Sequence, residues 1–270
     1  MIITHEMAWD KCLSHQIWPA IKKGWKDKDT NIHFFWGLAG PNIRKIQECI
    51  DKKEEWYYVD IGYLTQQPTR YPEPKIHDID KTYFRIIKGK LHTIRCKVGD
   101  GGRLNELRNK GIDVEFKGWR TTRGKYILLA PSSQTVTQYI NGISQQEWID
   151  QVTHYCKQYS DLPVKLRNKP RPNNQWWNTD IKDDLKDAQC LVTNMSLSAI
   201  DAVMNCIPAI THQNNICSFI SSADVKFVEK PMKPGRKTMN EWLKMVVENQ
   251  FTIPEIESGL AYETLQHQFI

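Results

Sequence analysis

The spacing of apolar residues along the chain switches repeatedly between continuous or alternating runs of strand length and stretches with apolar positions every third or fourth residue. Asn31–Phe35, Trp56–Tyr63, Tyr126–Ala130, Leu162–Arg167, Cys190–Thr193, Ala209–Thr211 and Val225–Val228 are runs rich in β-branched and aromatic residues, and they predict strands. Helical spacing appears at Trp9, Leu13, Ile17 and Ile21, from Ile43 to Lys53, and in a short stretch that Leu185 and Ala188 close. It returns at Leu197, Ile200, Val203 and Met204, and from Thr238 to Gln250. Ser144 and Glu147 have capping-box spacing at the head of a further helix, which runs to Tyr159. Thr82–Ile87 and Leu91–Val98 predict a hairpin around Lys88-Gly89-Lys90, followed by a flexible turn at 99–102. The proline-broken Thr65–His77 reads as a loop. Strands alternating with helices predict the α/β class, and the 270 residues suffice for two domains.

Cations outnumber carboxylates modestly, 37 Lys and Arg against 31 Asp and Glu, a net +6 that weakly favours an anionic partner. Seven widely spaced cysteines without zinc-site spacing predict free thiols in a reducing compartment. No long apolar run predicts a membrane span, and the polar residues His5, Glu6 and Asp10 interrupt any leader-like core. The expected location is therefore the cytoplasm, that of the host if the protein is viral. Asp78-Ile79-Asp80 has the letters of a metal-binding DxD but sits beside the proline loop, so no metal site is expected.

Candidate chemistry concentrates where predicted strands run into polar turns and helices. The stretch from Leu185 to His212 offers Asn194, Ser196, Ser198 and Asp201 at such an edge, with hydroxyls and free backbone N–H groups suited to an anionic ligand. Ser132 and Ser133 follow another predicted strand, and Arg167 and Lys169 a third, where proline-fixed cations suit a diphosphate. In the first half, Gly37 and Asn42 stand at a strand-to-helix turn and Asp60 at a strand end. Between Arg85 and Lys110 lies a basic, glycine-jointed insert that includes Arg85, Lys97 and Arg103, and it can follow a phosphate backbone or simply be solvated. Asp60, with His92 and Asp100 behind it, is a candidate general base.

Asp187-Ala188, Val192-Thr193, Asn194, Ser196, Ser198, Asp201-Ala202, Pro208 and Ile210 together resemble the donor-binding half of GT-B glycosyltransferases, especially their capsule-polysaccharide-like branch. Asp201 replaces that pattern's glutamate, and Cys206 its glycine. The stretches VKLRNKPRP and YYVDIGY are similar to further segments of the same sugar transferases. The resemblance implies two Rossmann-like domains facing a cleft: an acceptor domain over 1–122, a nucleotide-sugar domain over 123–253, and a last helix over 254–270 that crosses back. It implies a sugar transferase using a nucleotide-sugar co-substrate, expected to be a UDP-sugar, with no cofactor and no metal. Asp60, Asp100 or His92 would act as base. Ser132, Ser133, Arg167, Lys169, Asn194, Ser196, Ser198 and Asp201 would hold the donor, and Gly37, Asn42, Arg85, Lys97 and Arg103 the acceptor. The basic insert and the ten tryptophans make a hydroxymethylated base in double-stranded phage DNA the leading acceptor. A saccharide hydroxyl in surface-polysaccharide synthesis is the alternative, and a non-catalytic nucleic-acid-binding protein the third reading.

Overall fold

A computed structural model describes residues 1–5, 13–27, 30–64, 76, 78–93, 99–172 and 174–267. The chain divides into two compact units, one made of 1–114 with 243–270 and the other of 115–242. The first division thus falls eight residues before the expected 122/123 boundary, and the second lies inside a helix rather than at 253/254.

The first unit carries β1 (Ile2–His5), β2 (Ile32–Trp36), β3 (Glu55–Ile61) and β4 (Phe84–Lys88) in that spatial order. The first three are parallel, and β4 runs antiparallel to β3, pairing Asp60 with Arg85. Helices α1 (Ser14–Gly24) and α2 (Asn42–Lys52) make the crossovers. Trp9 lies outside the described residues. Alternation places Phe34, Trp36, Tyr57 and Val59 on one buried face, where Trp25 meets Phe34 and Tyr57 edge-on at 4.8 Å each. Truncating a buried aromatic of this kind costs about 3–5 kcal/mol.

The hairpin expected around Lys88-Gly89-Lys90 does not form between its two predicted arms. β4 instead takes β3 as its partner, Leu91–Thr93 are irregular, and 94–98 lie outside the described residues, Lys97 included. A helix absent from the sequence reading, α3 (Gly102–Asn109), follows the glycine turn. Its signal was the Asp100 carboxylate, which accepts the Gly102 N–H at 2.8 Å, together with Leu104 and Leu107 at helical spacing. Phe84 and Phe251 exchange backbone hydrogen bonds of 2.7 Å across the outer edge of β4. Helices α9 (Ile253–Glu257) and α10 (Leu260–His267) complete this unit, and the boundary at 242/243 falls within α8 (Arg236–Glu248).

The second unit is built on a parallel sheet of β5 (Tyr126–Leu129), β6 (Val164–Leu166), β7 (Ala188–Val192) and β8 (Ala209–Ile210), in the spatial order β6-β5-β7-β8. Ile127, Leu129, Cys190, Val192 and Ile210 pack on Trp148, Ile149, Val152 and Cys156 of α5 (Gln145–Tyr159). Leu128, Leu191 and Ala209 are buried too, which is why these strands read as continuous apolar runs. The capping box of α5 is present, Ser144 accepting from Glu147 N at 3.1 Å and Glu147 from Ser144 N at 2.8 Å.

Three sequence expectations change here. Ala188 opens β7 rather than closing α6 (Ile181–Leu185), a helix α4 (Gln134–Asn141) precedes α5, and Val225–Phe227 is a 3-10 turn instead of a strand. In the last case Asp224 accepts the Lys226 N–H at 2.9 Å, a local turn that outcompetes the apolar run.

Helix α7 (Ser198–Met204) ends in a tight left-handed closure. Ile207 N donates to Ala202 O at 2.9 Å and Cys206 N to Val203 O at 3.0 Å, the paired bonds of a Schellman stop. Cys206 therefore adopts φ +66°, the conformation for which the resembled pattern uses glycine. The tight end survives the substitution at the cost of backbone strain. Cys206→Gly is expected to raise stability by about 1 kcal/mol, read as a higher urea midpoint with an unchanged slope.

Candidate functional site

The order β6-β5-β7-β8 makes a topological switch point, because the chain leaves β5 for β6 on one side and returns to β7 on the other. In open α/β sheets the crevice at the carboxyl ends of two such strands is where ligands bind. Here those ends are Ala130–Ser133 after β5 and Thr193–Leu197 after β7. Of the predicted donor residues, Ser132, Asn194 and Ser196 come together there, with Ser198 next to them at the start of α7.

Asn194 is the knot between them and is buried. Its Oδ1 accepts from Ser132 N at 3.1 Å and Met195 N at 2.9 Å, while its Nδ2 donates to Thr137 Oγ1 at 3.3 Å and Asn141 Oδ1 at 3.0 Å. Ser132 Oγ accepts a second bond from Met195 N at 3.0 Å. Ser196 Oγ accepts from Ser198 N at 3.2 Å and sets the entry to α7. Asn215, fully buried and not picked out from the sequence, supports the same loop by donating to Asn194 O at 3.0 Å and Ser196 O at 3.4 Å. Its one sequence signal was the polar run His212–Asn215 directly after a predicted strand.

Among the described residues of the second unit, three buried side-chain oxygens lack a hydrogen-bond partner: Asn168 Oδ1, Thr193 Oγ1 and Ser198 Oγ. All three follow the carboxyl ends of β6 or β7. Buried polar groups are nearly always paired, so orphans gathered on one sheet edge mark a place that a polar ligand can complete.

The other predicted donor residues are placed differently. Ser133 caps α4, accepting from Val136 N at 3.4 Å, and Asp201 is exposed on the first turn of α7. Lys169 is exposed beyond β6. Arg167 does not stand free at the strand end: it is buried, paired with Asp184, and donates to Thr179 Oγ1 at 3.1 Å and Thr179 O at 3.0 Å. Lys165 Nζ reaches the other Asp184 oxygen at 2.6 Å. The strand-end cations therefore anchor the segment after β6 to α6.

In the first unit the structure brings together Asp60, Arg85 and His92. Asp60 Oδ2 accepts from Arg85 Nη2 and from Tyr58 OH, both at 2.8 Å, and Oδ1 accepts from Ile61 N at 2.8 Å. Arg85 is buried, donates its other arm to Ile61 O at 2.7 Å, and lies over the rings of Tyr58 and Tyr63 at 5.4 Å each. His92 is buried against Tyr63, and burial, reinforced by the Arg85 charge, pushes its pKa well below the usual imidazole value. Burial and the Arg85 charge disfavour the imidazolium form, so the ring is held neutral beside the ion-paired carboxylate.

Asp100 is set apart, its carboxylate occupied at the turn before α3. Arg103 is partly buried in a fork to Glu255, at 2.7 and 2.9 Å, with Val247 O and Gln250 O as further acceptors. Lys88 pairs with Glu55 and Lys110 with Glu106. Among the described residues of the basic insert, Arg85, Lys88, Arg103 and Lys110 are thus each claimed by a carboxylate of the same unit. Gly37 takes φ +64°, and Asn42 is buried, donating Nδ2 to Trp36 O and Gly37 O at 3.1 Å each. Its Oδ1 has no partner.

A pocket lined by Lys117, Trp119, Arg120, Lys182, Lys186 and Cys206 lies by chain order at the amino ends of β5, β7 and β8, opposite the edge described above.

Neither a family model nor a curated protein matches the sequence. Solved structures do match the fold. Thermosulfurimonas dismutans KpsC, beta Kdo 2,7 transferase, aligns over 97% of this chain and 99% of that one, with a TM-score of 0.54 and 10% identity. The KpsC beta Kdo 2,4 transferase of the same organism aligns over 90% and 89%, with a TM-score of 0.48 and 11% identity. The chain shares its fold with a Kdo transferase. At such identity the likeness extends to the α/β architecture and to no particular side chain. No helix among the described residues is long and apolar enough to cross a membrane.

Proposed function

We propose that the protein is a glycosyltransferase that moves a sugar from a nucleotide-activated donor to a saccharide hydroxyl. The observation that carries this reading is the polar carboxyl edge of the second sheet, with the Ser132–Asn194–Met195 knot at the switch point and three orphaned oxygens around it. The unpartnered Thr193 and Ser198 hydroxyls on that edge can donate to phosphate oxygens of a nucleotide and to the charge that develops on a departing phosphate. The seven-residue α7 contributes a short dipole, so the loops carry most of the binding. The acceptor hydroxyl would be deprotonated in the first unit, where Asp60 and His92 are the groups of suitable chemistry.

The fold likeness to a Kdo transferase favours a saccharide acceptor, the alternative raised by the sequence, over a DNA base. Burial of Arg85 and Arg103 in ion pairs points the same way, because phosphate-backbone binding depends on exposed cations.

A thermal-shift series with the mono- and diphosphates of the common nucleosides and their sugars tests the donor site. One nucleotide base is expected to raise Tm, by the equivalent of about 2.7 kcal/mol at a hundred times its Kd. Transfer to saccharide acceptors is then expected to vary little with salt. No shift with any nucleotide, or activity on DNA that collapses as salt rises, would overturn the reading.

A further inference from the structure

The first unit holds a group of metal-ligand side chains that the transferase reading does not use. His33 of β2, Cys49 of α2 and Glu54, just before β3, present a ring nitrogen, a thiol sulfur and a carboxylate oxygen within 4.8 Å of one another. His33 Nε2 is buried and makes no hydrogen bond, although Glu54 Oε2 stands 3.3 Å away. At that separation the nitrogen and the carboxylate are balanced either by a proton on Nε2 or by a cation held between them. Behind His33, its Nδ1 lies 2.9 Å from His5 Nε2, and the His5 ring stacks on Phe35 at 4.2 Å. A ligand histidine held from behind through its second nitrogen is the usual support of a metal-binding imidazole.

We propose that His33 Nε2, Cys49 Sγ and a Glu54 carboxylate oxygen form a binding site for one zinc-class divalent cation. Mixed nitrogen, sulfur and oxygen donors suit zinc, and three protein ligands leave a fourth position for water. Donors around a tetrahedral zinc sit roughly 3.3–3.8 Å apart, from bond lengths of about 2.0–2.3 Å. Small side-chain rotations close the present spacing to that range. Binding releases the Cys49 thiol proton to solvent and fixes the His33 proton on Nδ1, donated to His5 Nε2. Lys45 Nζ, now 3.4 Å from His5 Nδ1, gives way. The cation would staple α2 to the sheet through β2 and the turn into β3, a role independent of sugar transfer.

Cobalt(II) and zinc(II) titrations of the full chain test the site. One equivalent of cobalt is expected to give a near-ultraviolet thiolate-to-cobalt band that Cys49→Ser abolishes and zinc displaces. Glu54→Gln, a change at the half-exposed end of the site, and His5→Phe are each expected to weaken zinc binding about 10–100-fold in a chelator competition. Zinc should raise the Tm of the wild type and leave that of His33→Gln unmoved. A cobalt band that persists in Cys49→Ser, or zinc affinity unchanged in Glu54→Gln, would overturn the proposal even if Cys49→Ser folded poorly.

Discussion

Asn194→Leu is expected to lower stability by about 3–4 kcal/mol and to abolish nucleotide-induced stabilisation. The change removes four side-chain hydrogen bonds, each contributing roughly 1 kcal/mol, and leaves the Ser132 N–H and the Thr137 and Asn141 oxygens to find other partners, while the Met195 N–H keeps Ser132 Oγ. Asn194→Asp separates the two halves of the effect. It retains both acceptor bonds from Ser132 and Met195 but replaces donation toward Thr137 and Asn141 with a buried charge. Urea denaturation gives the stability change, and the nucleotide thermal shift gives the effect on binding. A loss below about 1 kcal/mol with binding intact would mean that the β5 and β7 loops hold their shape without this side chain, and the switch-point site would lose its organising residue.

Asp60→Leu is expected to cost about 3–5 kcal/mol, because it leaves the Arg85 guanidinium, 4% exposed, without its counter-charge. The double variant Asp60→Leu with Arg85→Met should recover much of that loss, since it replaces the pair by apolar side chains instead of breaking it. Asp60→Asn addresses the chemistry. The amide keeps an oxygen for the Ile61 N–H and a shape close to the original, so a general base at this position would show itself as a fall in kcat of about 10²–10⁴. Equal activity in Asp60→Asn would assign the carboxylate to holding Arg85 and pass proton abstraction to His92.

Strand and helix positions near Trp56–Tyr63, Tyr126–Ala130 and Ser144–Tyr159 were legible because burial on one or both faces imposes a period, and the period is written in single residues. The switch-point loops were legible for a similar reason, as strand ends followed by small polar residues. The partners of charged side chains were not. Nothing local to Arg85 announces Asp60, and nothing near Arg103 announces Glu255 across 152 positions of sequence. A cation that a sequence offers to a ligand can equally be claimed by a carboxylate brought in by the fold. Arg167 illustrates this, since Asp184 lies only 17 positions away yet reaches it through the placement of α6. Cys206 shows the converse: the departure from glycine was visible, but that the backbone keeps φ +66° regardless depends on the closure bonds after α7.

The exchange of hydrogen bonds between Phe84 and Phe251 has a consequence for synthesis. β4 is the last strand of its sheet, and the segment that covers its outer edge emerges from the ribosome more than 160 residues later. At 5–20 residues per second that is a delay of roughly 10–30 s, during which a growing chain carries an uncovered strand edge. The second unit is translated wholly within that interval. The half of the protein begun first is therefore the half finished last, and a ribosome stalled beyond residue 242 would hold one completed unit and one still open to pairing with a neighbouring chain.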